Sequence, residues 1–123
     1  MEAAEQGRGA IQSFKPTTAT GQKALQEILQ KNTGKGWLQT AKQTIGFSPK
    51  TDYIGSLNDF NSLSSAEQAA RFGAEAPKVG AFLKQQAAWQ VGKMLTMGAT
   101  LATIGKITGV NNKLLHLVIG GAE

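Results

Sequence analysis

The sequence predicts an all-α protein, either an extended helical hairpin or a small irregular bundle. Three observations favour this fold class. Apolar residues recur at helical spacing, capping and stop signals stand at the segment boundaries, and one long helical stretch occupies the C-terminal third. The length of 123 residues fits one domain.

The first 18 residues are predicted to be a flexible N-terminal arm, and residues 19–123 a single helical domain. This arm contains two segments that disfavour regular secondary structure, Gly7-Arg8-Gly9 and Pro16-Thr17-Thr18. The acidic start, Met1 to Gln6, is not typical of a secretory signal or a basic transit peptide. The location is left undetermined, with a virion or the cytoplasm as the hypotheses.

Two helices are expected after the arm, from about Thr20 to Lys31 and from about Trp37 to Ile45. The first has an apolar stripe, formed by Ala24, Leu25, Ile28 and Leu29. Stop signals mark the C-terminal ends of the two helices. Asn32-Thr33-Gly34 follows the first helix, and Gly46 follows the second.

The segment from Phe47 to Leu63 is predicted to be a loop with apolar anchors and at most a short helix near Leu57–Phe60. Its proline and its Asn, Asp and Ser content argue against long regular structure. Ser64 and Glu67 then form a capping box, which predicts a helix to about Ala74.

A helix is predicted over about 77–108, which at 1.5 Å per residue is about 45 Å long. Its apolar residues spread around more than one face. We therefore expect that the chain itself buries this helix incompletely and that a partner covers the rest of its apolar surface. The last apolar run, Leu114 to Ile119, is interpreted as a short helix or an edge strand.

The net charge of +5 is unevenly distributed along the chain. Residues 15–50 carry six lysines and one acid, whereas residues 51–75 carry four acids and one arginine. Residues 76–122 contain five lysines and no acid. This order suits head-to-tail self-association or the binding of a polyanion.

The lysines of the first half recur mostly every seven or eight residues, which on helices predicts a basic ridge. The candidate polyanion contacts are Lys23, Lys31, Lys35, Lys42, Lys84 and Lys93. Trp37 and Trp89 could stack on bases beside these lysines. The interpretation we favour is that both indoles anchor packing.

Small residues in the predicted long helix indicate a helix-packing interface. Gly98 and Ala102, and then Gly105 and Gly109, repeat a spacing that lets helix backbones approach closely. The predicted interface comprises Gly98, Ala102, Gly105, Gly109, Leu101 and Trp89. This pattern predicts that the chain forms a homo-oligomer or binds other subunits of a larger assembly.

The chemical inventory predicts no enzyme, cofactor or metal site. The chain has no cysteine, which excludes disulfides and thiolate chemistry, and His116 is its one histidine. No carboxylate pair has a usable spacing. Gly105-Lys106-Ile107-Thr108 lacks the serine or threonine that a phosphate-binding loop needs after its lysine.

The leading hypothesis is a non-enzymatic structural or assembly subunit, such as a virion coat or internal protein. The composition, rich in Ala, Gln, Gly and Thr, is similar in style to coat and internal proteins of bacterial or archaeal viruses. One alternative is a basic protein that binds nucleic-acid backbone non-specifically. Another is an amphipathic protein at a membrane surface, because an independent span is disfavoured by Lys93 and Lys106.

Overall fold

The computed structural model describes residues 14–47 and 49–121, and it confirms the all-α fold class. The described residues form no strand, and Thr33 and Thr51 make one isolated antiparallel bridge. A single 3₁₀ turn covers Gly73–Glu75. The α-helices in chain order are α1 (Ala19–Lys31), α2 (Gly36–Ile45), α3 (Tyr53–Ser62), α4 (Ser65–Phe72), α5 (Ala76–Thr96), α6 (Leu101–Thr108) and α7 (Asn112–Gly121).

Helix α5 is the centre of the bundle, because α3, α4, α6 and α7 all contact it. Its fully buried apolar residues stand three or four positions apart: Val79, Leu83, Ala87, Val91 and Met94. This spacing places them on one stripe of the helix, which the surrounding helices cover. Two glutamines, Gln86 and Gln90, are buried in the same helix.

The predicted boundaries of α1, α2 and α4 are confirmed within about a residue, except that α4 ends at Phe72 rather than Ala74. The Thr18 hydroxyl accepts a hydrogen bond from the Gly21 N–H at the start of α1. The predicted capping box of α4 is formed in full, with Ser64 and Glu67 each bonded to the backbone of the other. These caps satisfy backbone N–H groups that a helix start leaves without a partner.

The prediction of a loop over residues 47–63 is wrong, because α3 occupies most of this segment. Asp52 caps it, and its carboxylate accepts a hydrogen bond from the Gly55 N–H at 2.8 Å. Ile54, Leu57 and Phe60 lie at helical spacing and are buried against the bundle. Burial of these side chains outweighs the weak helix propensity of the Asn and Ser residues between them.

The prediction of one helix over about 77–108 is also wrong, because the chain turns between α5 and α6. Gly98 has a φ of +108°, a conformation that side-chain-bearing residues rarely adopt. The Thr100 hydroxyl then caps α6 by accepting a hydrogen bond from the Thr103 N–H. The turn lets α6 and α7 fold back onto α5.

The C-terminal run from Leu114 to Ile119 is helical, which decides between the two predicted alternatives. Ile104, Leu115 and Val118 are fully buried where α6 and α7 fold back. The chain therefore buries its apolar side chains more completely than we expected. Among the described residues, Leu117 is the one exposed large hydrophobic residue.

Most of the predicted arm, residues 1–13, lies outside the described residues. Residues 14–18 contact the helical domain. The ring of Phe14 packs on that of Phe82 with centroids 5.5 Å apart. The Thr17 N–H donates a hydrogen bond to Glu75 at 2.9 Å.

Replacing Gly98 with alanine is expected to lower the free energy of unfolding by about 1–3 kcal/mol, because alanine is strained at this φ. The measurement is the urea unfolding transition. Gly92→Ala is the matched control, since Gly92 lies within α5 and a Cβ there meets nothing within 4 Å. The control should gain up to about 1 kcal/mol, and equal effects of the two changes would contradict the assigned turn.

Replacing Gln86 with methionine is expected to raise the free energy of unfolding by about 1 kcal/mol. The Gln86 amide nitrogen is buried without a hydrogen-bond partner among the described residues, and such a group carries an uncompensated desolvation cost. Urea unfolding measures the change.

Gln90→Met provides the contrast, since the Gln90 amide bonds the backbone of Thr51, Tyr53 and Ile54. It should lower the free energy of unfolding by about 3 kcal/mol. A loss of stability in both variants would contradict the assignment of Gln86 as the unpartnered amide.

Candidate polyanion-binding groove

A groove of about 400 Å³ lies where the loop after α1, helix α2 and residues 49–50 meet. Three lysines line it and no acidic residue does. We call it the basic groove, lined by Thr33, Gly34, Lys35, Gly36, Leu38, Gln39, Lys42, Pro49 and Lys50. Three ammonium groups around one concave surface make it a candidate site for anions.

Backbone hydrogen bonds hold the two sides of the basic groove together. The Gly34 N–H donates to the Lys50 carbonyl at 3.1 Å, and the Asp52 N–H donates to the Asn32 carbonyl at 2.8 Å. The isolated bridge between Thr33 and Thr51 lies between these two bonds. Lys50 is therefore held beside the start of α2, although it is fifteen positions from Lys35 along the chain.

A buried carboxylate beneath the groove connects α2 to α3. Asp52 is 2% exposed. One carboxylate oxygen accepts a hydrogen bond from the Trp37 indole N–H at 2.9 Å, and the other accepts from the Gly55 N–H at 2.8 Å. Trp37 is in the first turn of α2, so this carboxylate sets the position of the α2 N-terminus relative to α3.

Gln90 supports the same segment from the side of α5. Its amide oxygen accepts hydrogen bonds from the Tyr53 and Ile54 N–H groups, at 2.8 and 3.3 Å. Its amide nitrogen donates to the Thr51 carbonyl. The central helix therefore holds the backbone at Thr51, which follows Lys50 of the groove, at a defined position.

Burial also shifts the pKa of the carboxylate beneath the groove. Desolvation raises the pKa of Asp52, while the Gly55 N–H, the Trp37 indole and the positive charge of Lys35 oppose that rise. Lys35 also stands at the N-cap of α2, where no side chain caps the helix. The partial positive charge of a helix N-terminus adds to that of the lysines.

The described surface is strongly basic overall. Residues 14–121 carry twelve lysine and arginine side chains against five acidic ones. Asp52 is buried, Glu67 caps α4 and Glu75 binds the Thr17 N–H. Within the described part of the chain, Lys31 and Asp59 form the one ion pair, with 3.8 Å between Nζ and Oδ2. Most lysines are therefore available to an external anion.

Comparison with protein-family models, with curated proteins and with solved structures finds no match. The geometry of this chain is thus the basis for its functional assignment. In the described ranges, no group of three or more His, Asp and Glu side chains could hold a metal ion. None of the helices over those same residues is long and apolar enough to cross a membrane.

The structure brings together two of the six predicted polyanion contacts, Lys35 and Lys42. The other four lie elsewhere. Lys23 and Lys31 are exposed on α1, Lys84 is half-buried on α5, and Lys93 is exposed near the end of α5. These four lysines therefore do not line the basic groove.

Lys50 is the third lysine of the basic groove, although it was not among the predicted contacts. Its place in the periodic lysine series was a signal in the sequence. The series did not show that the chain returns to α2 at this point, because that return depends on Asp52 and Gln90.

The six residues of the predicted helix-packing interface do not share one helix face. Gly98 lies in the turn before α6, and Gly109 ends α6 with a φ of +73°. Ala102 is exposed and Leu101 is half-buried. Gly105 allows close packing within the chain, since a Cβ there would lie 3.0 Å from Asn112 Oδ1.

Both tryptophans have packing roles, in agreement with the favoured interpretation. Trp37 is buried and donates to Asp52. The rings of Trp89 and Phe47 meet edge to face with centroids 5.9 Å apart. These contacts explain the two indoles without base stacking, and Trp89 packs within the chain rather than only at an interface.

The Asp52 carboxylate is expected to give a distinctive pH dependence of stability. Its folded-state pKa lies above the ordinary 3.8, so the folded chain keeps this proton to a higher pH than the unfolded chain. The stabilisation is full below pH 3.8 and is lost as pH rises through the raised pKa. In urea unfolding across this range, the stability of wild type relative to Asp52→Asn should fall as pH rises.

Glu67→Gln should show the opposite trend. The Ser64 N–H, which binds the Glu67 carboxylate, lowers its pKa below the ordinary 4.5. Its contribution is therefore present above pH 4.5 and is lost as pH falls through the lowered pKa. If the stability difference from wild type changed with pH in the same direction for both variants, the opposite pKa shifts of Asp52 and Glu67 would be contradicted.

Proposed function

We propose that this chain is a non-enzymatic assembly subunit that binds the phosphate backbone of nucleic acid at its basic groove. The observation that carries the proposal is the convergence of Lys35, Lys42 and Lys50 around a concave surface with no acidic residue in its lining. Lysine ammonium groups pair with phosphate as point charges. Neutralising phosphates releases condensed counterions and supplies most of non-specific affinity.

The side chains of the groove favour contact with phosphates over recognition of bases. Its charged residues are all lysine, whereas bidentate arginine makes the commonest specific base contact. Trp37 is buried, Trp89 packs on Phe47, and neither lines the basic groove, so the groove offers no indole for base stacking. Binding should therefore depend strongly on salt and weakly on sequence.

A virion coat or internal protein is one setting in which such a subunit would act. A protein that packages nucleic acid needs many weak, sequence-independent contacts along the backbone, as wrapping proteins illustrate. A small basic domain meets that need when many copies bind side by side. The membrane-surface alternative has less support, because one large apolar side chain is exposed in the described residues.

Replacing Lys35, Lys42 and Lys50 together with glutamine should weaken binding to duplex DNA. Each lost lysine–phosphate contact is expected to reduce the slope of log K against log salt by about 1. Fluorescence anisotropy with two labelled duplexes of unrelated sequence, titrated over a range of salt, measures affinity and slope. The loss should be the same for both duplexes.

Lys78, Lys93 and Lys106 replaced together with glutamine form the matched control, since this variant has the same net charge. It should keep most of the affinity and of the salt slope. An equal loss in both triple variants would show that net charge, rather than the groove, drives binding. No binding of wild type at low salt would refute the proposed function.

A further inference from the structure

Leu117 on α7 is the one large apolar side chain that is exposed among the described residues. It is 55% exposed, whereas its neighbour Val118 is fully buried. An isolated exposed leucine is ordinary, but this one borders a concave surface. That surface, about 360 Å³ in volume, lies where α3, α5 and α7 meet.

We call this surface the three-helix groove, lined by Leu57, Asn61, Gly80, Ala81, Lys84, Leu117 and Val118. Its floor is apolar, because Leu57 and Val118 are buried. On α5 its wall consists of Gly80, Ala81 and Lys84. The three-helix groove and the basic groove share no lining residue.

The one charged residue in the lining of the three-helix groove is basic. Lys84 is part of its lining. Lys113 precedes Leu117 by four residues on α7, so the two side chains lie on the same face of that helix. No acidic residue lines the groove, and residues 76–121, which include α5, α6 and α7, contain none.

We propose that the three-helix groove binds an acidic amphipathic helix of a partner protein. The apolar face of such a helix would cover Leu117 and the groove floor, and its carboxylates would pair with Lys84 and Lys113. Helices commonly dock in apolar grooves through side chains at i, i+3, i+4 and i+7. Charges of opposite sign at the rim select the partner and speed association.

Charge complementarity favours this occupant over a second copy of the chain. In a two-fold dimer the same patch meets itself, which would bring Lys84 and Lys113 close to their counterparts in the other copy. A lipid surface is also less suited, because interfacial helices bind through a broad apolar face. Leu117 is a single exposed anchor.

The test uses a fluorescein-labelled helical peptide with leucines at i, i+4 and i+7 positions and glutamates beside them. Anisotropy with the full chain should show saturable binding. Leu117→Ser, or the double change Lys84→Gln and Lys113→Gln, should weaken it by about tenfold or more. The controls are His116→Ser, at the exposed neighbour of Leu117, and the charge-matched pair Lys93→Gln and Lys106→Gln.

The proposal is supported if the controls bind like wild type and a peptide with lysines in place of the glutamates fails to bind. It is overturned if both peptides bind equally, or if Leu117→Ser leaves the affinity unchanged. Dimerisation that depends on Leu117 in sedimentation would assign the groove to a second copy instead. Binding confined to vesicles of phosphatidylcholine and phosphatidylglycerol would assign it to lipid.

The duplex DNA titration described above separates this proposal from the proposed function. Leu117→Ser should bind DNA like wild type, since Leu117 is not part of the lining of the basic groove. Circular dichroism checks that each variant is folded. Loss of peptide binding with intact DNA binding therefore tests the three-helix groove alone.

Discussion

The buried carboxylate of Asp52 is the interaction on which the arrangement of the N-terminal half depends. It caps α3 through the Gly55 N–H and holds the Trp37 indole of α2. A buried acid is costly unless its oxygens are satisfied, and here both oxygens have a donor. The basic groove exists because this carboxylate brings the start of α2 next to the residues that precede α3.

Helix α5 plays the corresponding role for the C-terminal half. Its buried stripe is longer than any one neighbouring helix, so several elements are needed to cover it. The turn at Gly98 supplies two of them, because α6 and α7 can then return along α5. Gln90 extends the influence of α5 to the backbone at Thr51, so one helix supports both grooves.

The charge distribution explains why lysine is the charged residue type in the lining of both grooves. Most of the acids in the described residues have internal roles: a buried cap, a capping box, and contacts with Thr17 and Lys31. The lysines of the described residues are exposed or half-buried. Such a surface attracts anionic partners. The two grooves differ in that the three-helix groove combines its lysine with an apolar floor.

The sequence by itself determined the all-α class, the ends of α1 and α2, the start of α4, the absence of cysteine and the excess of basic over acidic residues. These properties depend on residues within one helical turn of each other, such as Ser64 and Glu67, or on composition alone. The tertiary structure decided that residues 53–62 form a helix, that the chain turns at Gly98, and that Lys50 joins Lys35 and Lys42. Each of these depends on burial or on hydrogen bonds between distant residues, as between Gln90 and Thr51, and local patterns do not contain that information.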